Sequence, residues 1–240
     1  MIRAVGPSLA PFGVTGLLAD PRLEFFVNTT KSGSNDDWGG AATLSAAFAE
    51  VGAFPLTNSN SRDAALLLPS VSPGSRTVLV SGDGVANGNV LTELYDATPV
   101  SGASAMSPRL TNVSILKNVG AGLTAGFIIR GAGTKTVLIR AVGPSLTPFG
   151  VSGALADPKF ELFDGQSRSL AVNDNWADAG TLVASELSGV FSQVGAFNLA
   201  SAASKDAALL ITLAPANYTV HVRSADATTG VALVEVYEVP

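Results

Sequence analysis

IRAVGPSLAPFGVTGLLADPRLEFF (Ile2–Phe26) recurs 137 residues later as IRAVGPSLTPFGVSGALADPKFELF (Ile139–Phe163). The second copy follows RLTNVSILKNVGAGLTAGFIIRGAGTKTVL (Arg109–Leu138), which has no counterpart ahead of the first. Working outward, NDDW (Asn35–Trp38) answers to NDNW (Asn173–Trp176), VGAF (Val51–Phe54) to Val194–Phe197, and DAALL (Asp63–Leu67) to Asp206–Leu210. The offset drifts from 137 through 138 to 143 and settles at 142 for Tyr95 and Tyr237, so insertions fall between the matching blocks, where surface loops tolerate them. Two copies of one fold are expected, at residues 1–99 and 107–240, joined by a small-residue linker at 100–106.

Within a copy the local pattern is mostly strand. NYTVHVRSA (Asn217–Ala225) and GVALVEVYEV (Gly230–Val239) are rich in β-branched and aromatic residues and are separated by a hairpin-like DATT. TAGFIIRG (Thr124–Gly131), TKTVLIRAV (Thr134–Val142) and KFELF (Lys159–Phe163) read the same way, with Gly and Pro between them. One segment breaks the pattern. Leu182, Leu187, Val190, Phe191 and Val194 fall near helical spacing, as do Leu44, Phe48 and Val51, which predicts a short helix in each copy covering one end of a sandwich. IRAVGPSL is then a strand that ends at Gly-Pro, because Pro7 and Pro144 lack the amide proton that would continue a ladder. Arg3 and Arg140, inside that strand, are expected to pair with a nearby acid such as Asp20 or Asp157. The fold class is therefore all-β: two tandem β-sandwich domains, jelly-roll-like, each with one short helix, the first lacking its N-terminal strands.

Composition narrows the function classes. Only 14% of residues are charged and acids exceed bases by 19 to 14, so a basic face for nucleic acid is not expected. Pro, Gly, Ser or charge interrupts every apolar run before it reaches a bilayer-spanning length, so no membrane insertion is expected. The Arg3-led opening has the look of a signal peptide, but the same words recur at Ile139, which makes it a domain segment. With no cysteine, a disulfide framework and thiolate metal sites are excluded.

The order FELFDG…LAVNDNW…APANYTVHVRSADATTGVALVEVYEV resembles the pre-peptidase C-terminal type of β-sandwich. The words LIRAVGPSL…ALADP…NDNW resemble a module repeated in large secreted and surface proteins of bacteria. The resemblance covers nearly all of residues 109–240 and the shorter copy at 1–99. It implies an extracellular or cell-surface, non-catalytic accessory module and names no ligand.

No catalytic residue is assigned. His221, the one histidine, lies in an expected strand and answers to Leu79 in the first copy, and no G-x-S-x-G occurs. GDGVANG (Gly82–Gly88) and GAGLTAG (Gly120–Gly126) have the wrong spacing for phosphate loops and read as turns. Glu24 with Glu161 and Glu93 with Glu235 recur between copies, yet each sits among alternating apolar residues where a solvent-facing acid is the ordinary outcome. The remaining candidates are Asn35, Asp36 and Asp37, with Asn173, Asp174 and Asn175. These triplets read either as Asx-type turns anchored by the following tryptophan or as oxygen ligands for calcium, the one cofactor considered.

Two function classes follow. One is a structural or assembly protein whose tandem sandwiches pair with other copies into a filament or surface layer. The alternative is a carbohydrate-binding or accessory module of a secreted enzyme, for which polysaccharide is the partner. Only 7% of residues are aromatic, and the Trp and Tyr positions mostly repeat as core residues would, which favours self-assembly. A first copy without counterparts of Val113–Leu116, Thr124–Gly131 and Thr134–Leu138 exposes strand edges, so completion in trans by a strand or hairpin of a neighbouring chain is expected, propagating head to tail. The rival expectation is a shorter, self-sufficient first domain.

Overall fold

The computed structural model describes the chain apart from residues 85–86, 100–106, 121 and 179–183. The expected linker and Leu182 fall outside the described residues. The chain divides into two compact units, Met1–Arg109 and Leu110–Pro240. Among the described residues each is built from two antiparallel sheets and carries one α-helix. The all-β, twin-sandwich reading is what the structure has.

The second unit is the fuller one. Its strands are β7 (Asn112–Val119), β8 (Leu123–Ile129), β9 (Lys135–Val142), β10 (Pro158–Asp164), β11 (Ser169–Asn173), β12 (Ala207–Leu213), β13 (Ala216–Ser224) and β14 (Gly230–Glu238), with helix α2 (Ala184–Val194). One sheet runs β12-β9-β14-β7 and the other β11-β10-β13-β8. The alternation that reads as strand also sets the faces. Val220 and Val222 point between the sheets and are fully buried, with Ala232 and Val234 opposite them on β14, while His221 stands on the solvent side. On the outer face of the β9 sheet, Leu138, Val142 and Tyr237 pack against Leu187 and Phe191 of α2 and against Trp176. The helix repeat thus serves a second, smaller core beside the one between the sheets.

The first unit repeats this plan with β1 (Ile2–Val5), β2 (Pro21–Val27), β3 (Thr30–Asn35), β4 (Ala64–Leu66), β5 (Arg76–Gly82), β6 (Leu91–Leu94) and helix α1 (Ala42–Val51). Its sheets run β4-β1-β6 and β3-β2-β5. The registers coincide residue for residue: Arg3 opposes Glu93 as Arg140 opposes Glu235, and Glu24 opposes Leu79 as Glu161 opposes His221. Among the described residues of the first unit no strand takes the places of β7 and β8, so β6 and β5 end their sheets there, whereas β14 and β13 are flanked by β7 and β8. The first half of β9, Lys135–Leu138, pairs with Leu210–Leu213 of β12. In the first unit only Met1 stands in for that half, and β4 is correspondingly three residues long.

The consequence is confined to one layer. The core on the helix side is similar in the two units, each having a buried Trp, Phe and Leu group around its helix. Between the sheets, seventeen described residues form the buried core of the second unit and five that of the first, where Val78, Val80 and Val90 are only half-buried.

The GPSL corner explains why the repeat preserves these words. Each is a short 3₁₀ turn (Pro7–Phe12, Pro144–Phe149). A methyl group added to Gly6 would lie 2.1 Å from the Leu18 carbonyl oxygen, and one added to Gly143 would lie 2.1 Å from that of Leu155. Only glycine lets the chain cross itself so closely.

Candidate functional site

The arginines of IRAV are buried completely and do not meet the acids expected of them. Arg140 Nη2 lies 2.9 Å from Glu235 Oε2, a cross-strand neighbour on β14, and Arg3 Nε donates to Glu93 Oε2 at 2.8 Å. Asp20 and Asp157 are not the partners. The solvent-facing reading of Glu235 is likewise overturned, because its residue exposure is 3%. Each guanidinium also donates to a backbone carbonyl, Phe54 or Phe197, and lies between two rings. Arg3 Cζ is 4.7 Å from the Phe48 centroid and 4.5 Å from that of Phe54, and Arg140 repeats both distances over Phe191 and Phe197. Tyr95 and Tyr237 complete the groups by donating to Glu93 and Glu235 at 2.6 Å. Burial, then the bond to Glu93, pushes the Tyr95 phenol up to about 12, and the same causes raise Tyr237. The cluster ties sheet to helix through the ion pair, the carbonyl bond and the two rings, although Arg140 Nε finds no hydrogen-bond acceptor among the described residues.

A second buried group was not visible as a motif. Asp206 Oδ1 accepts from the backbone amides of Gly143 (2.7 Å) and Ser145 (3.3 Å), and Oδ2 from the hydroxyls of Ser145 and Ser204. Asp63 does the same with Gly6, Ser8 and Ser61. The acid of DAALL thus ties down the corner of GPSL, 63 residues away in the second unit and 57 in the first. The only prior signal was that both words recur together.

The six candidate calcium residues divide by role. Asn35 Oδ1 accepts from the Ala65 amide and Asn173 Oδ1 from that of Ala208, both at 2.8 Å, while their Nδ2 groups donate to the carbonyls of Asp37 and Asn175. These are Asx turns that clamp β3 and β11 to the neighbouring β4 and β12 strands. Trp38 and Trp176 are buried behind them. Asp36, Asp37 and Asp174 are exposed, and Asn175 is half-buried. Arg62 lies 3.3 Å from Asp37 and 3.5 Å from Asp20, so an arginine supplies the counter-charge in the first unit. In the second, burial and then the charge of Asp174 raise the Asp157 carboxyl, against the opposing pull of Lys205. Among the described residues no three His, Cys, Asp or Glu side chains are grouped to hold a metal ion.

The acids considered for hydrolysis are paired elsewhere. Glu24 meets Lys31 at 2.9 Å, and Glu161 lies 3.7 Å from Arg223. His221 stands exposed on the sheet, its ring centroid 4.8 Å from that of Phe163.

What remains unsatisfied in the first unit is its edge. Leu79, Leu91 and Leu94 are 48%, 38% and 39% exposed, and Leu94 points toward the space between the sheets. Its counterpart Val236 is packed against the core of the second unit. Glu93 has a side-chain exposure of 16% against 4% for Glu235, over which Ser114 of β7 lies at 3.2 Å. Leu79, on the outer face of β5, answers to His221, which is exposed as well, whereas the positions of Glu93 and Leu94 differ by the presence of β7.

No family model matches the chain, and no curated protein matches it significantly. Among solved structures, the pre-peptidase C-terminal domain of a collagenase from Bacillus anthracis is similar over 52% of this chain and 89% of that one, with 13% identity and a TM-score of 0.32. That is a distant likeness of fold.

Proposed function

We propose that the chain is a non-catalytic structural module of an extracellular or cell-surface protein, and that its first unit joins further copies by strand addition at β5 and β6. The observation that carries this reading is internal. Two units of one fold sit in one chain, and the strands left as edges in the first are covered in the second. An uncovered edge presents unpaired backbone donors and acceptors, and a partner strand satisfies them at little cost in side-chain specificity. The fully buried arginines support a structural role, since each faces a glutamate across its ladder and a backbone carbonyl beside it.

Hydrogen exchange of the purified chain at low and high concentration tests this. Amides of β5 and β6 are expected to gain protection as concentration rises, while those of β13 and β14 stay unchanged. Unchanged exchange at both concentrations in β5 and β6 would remove the assembly role.

A further inference from the structure

We infer that the chain cuts itself at the Asp157–Pro158 peptide bond, with the Asp157 carboxyl as nucleophile on its own carbonyl carbon. An Asp-Pro pair occurs once in each unit, as Asp20–Pro21 and Asp157–Pro158, where the chain leaves the loop after the GPSL corner and enters β2 or β10. This activity is independent of the strand-addition reading above.

Nucleophile, electrophile and leaving group are each prepared by the fold. Oδ1 of Asp157 is buried and has no hydrogen-bond partner among the described residues, and the same is true of Oδ1 of Asp20. An oxygen with no donor bound to it keeps its lone pairs for attack, and attack on the residue's own carbonyl closes a small ring without help from a second side chain. The Asp157 carbonyl oxygen accepts from the Ala225 amide at 2.8 Å, as that of Asp20 does from Asp83, and a fixed backbone donor stabilises the charge this oxygen takes up when its carbon is attacked. Pro158 carries no amide proton, so its nitrogen holds no ladder bond that departure would break. Strand initiation accounts for the prolines. It does not account for a carboxylate oxygen left without a donor beside each one, which costs stability.

The step balances with the chain and one water. A carboxyl oxygen of Asp157 bonds to the carbonyl carbon, the C–N bond to Pro158 breaks with its electron pair passing to nitrogen, and the carboxyl proton goes to that nitrogen, which becomes a secondary amine. The cyclic anhydride left on Asp157 adds water, restoring the side-chain carboxyl and leaving a new α-carboxylate. The products, residues 1–157 and 158–240, stay associated because β10 pairs along its length with β13 and also with β11.

The two bonds differ in their surroundings. Arg62 lies 3.5 Å from Asp20 Oδ2, and its positive charge draws on the electron pairs that attack requires. The equivalent residue in the second unit is Lys205, which forms no ion pair with Asp157 among the described residues. Burial and then the charge of Asp174 raise the Asp157 carboxyl, with Asp226 adding to them and Lys205 and Lys159 opposing. Asp157 therefore keeps the transferable proton to higher pH than an ordinary aspartate. Cleavage is expected at Asp157 ahead of Asp20, and its rate falls with rising pH, about tenfold per pH unit once the carboxyl is ionised.

The test is incubation of the purified chain at about pH 5, just above the ordinary carboxylate range, followed by denaturing gels and intact mass. Fragments 1–157 and 158–240 are expected, with the circular dichroism of the sample unchanged. Asp157→Asn should abolish this cut. Lys205→Arg, at an exposed position, should slow it several-fold by supplying the cation that Asp20 has, and Arg62→Ala should open the Asp20–Pro21 bond. Asp-Pro bonds are acid-labile in any chain, so the same incubation in urea is the reference: there the two bonds should break at one slow rate. The urea comparison and Lys205→Arg keep the test standing if Asp157→Asn fails to fold. An intact chain, equal cutting at both bonds in the folded and the urea-unfolded chain, or a cut at this bond that persists in Asp157→Asn would overturn the inference. None of these results bears on strand addition, which hydrogen exchange tests separately.

Discussion

Asp206 gathers two backbone amides and two hydroxyls onto one buried carboxylate. Asp206→Ala leaves them unpaired out of water, and a loss of about 3 kcal/mol or more is expected in denaturant unfolding of the second unit. The Asx turns separate two readings at the scale of single atoms. Asn173→Ala removes the acceptor of the Ala208 amide and should cost about 1–3 kcal/mol, whereas Asp174→Ala should leave stability nearly unchanged. A calcium-dependent rise in melting temperature that Asp174→Ala abolishes would instead assign the carboxylate a metal. The tyrosines make a pH prediction. The native state keeps phenol protons that the unfolded chain loses near pH 10, so stability is complete below that pH and falls as pH climbs toward 12 and beyond. Tyr95→Phe combined with Tyr237→Phe should flatten this alkaline slope in urea midpoints measured between pH 10 and 12.

At the scale of elements, each helix acts as the lid of a buried arginine. Phe191 is wholly buried, lies 4.7 Å from the Arg140 guanidinium and packs against Trp176 with ring centroids 5.7 Å apart. Phe191→Ala should cost about 3–5 kcal/mol, read as loss of the second unit's unfolding midpoint. Strands and helices were legible beforehand because each writes its period over a few residues. The spacing of Leu187, Val190, Phe191 and Val194 falls within α2, and the alternation of NYTVHVRS is the burial pattern of β13. The partners of Arg3 and Arg140 were not legible. Asp20 and Asp157 are nearer in sequence, but register sets Glu93 and Glu235 directly across the ladder, 90 and 95 residues away.

For the whole chain, the unequal inter-sheet cores predict unequal melting. Calorimetry should resolve two transitions, with the unit of residues 1–109 unfolding first because fewer of its apolar residues are sealed between sheets. If that unit pairs with a second copy, its transition alone should rise with protein concentration, since association stabilises the native state by mass action. One merged, concentration-independent transition would count against both statements. The sequence by itself determined the duplication and the strand and helix content, because repetition and short-range periodicity survive without any knowledge of contacts, and it left the triplets before the tryptophans open between turns and calcium ligands. Only the tertiary structure decided that Asp63 and Asp206 hold the corners, that Glu93 and Glu235 are the counter-ions of the buried arginines, and that β7 and β8 pair with β14 and β13. Those facts depend on which distant strands lie side by side, and that is fixed by the packing of two sheets rather than by any local stretch of the chain.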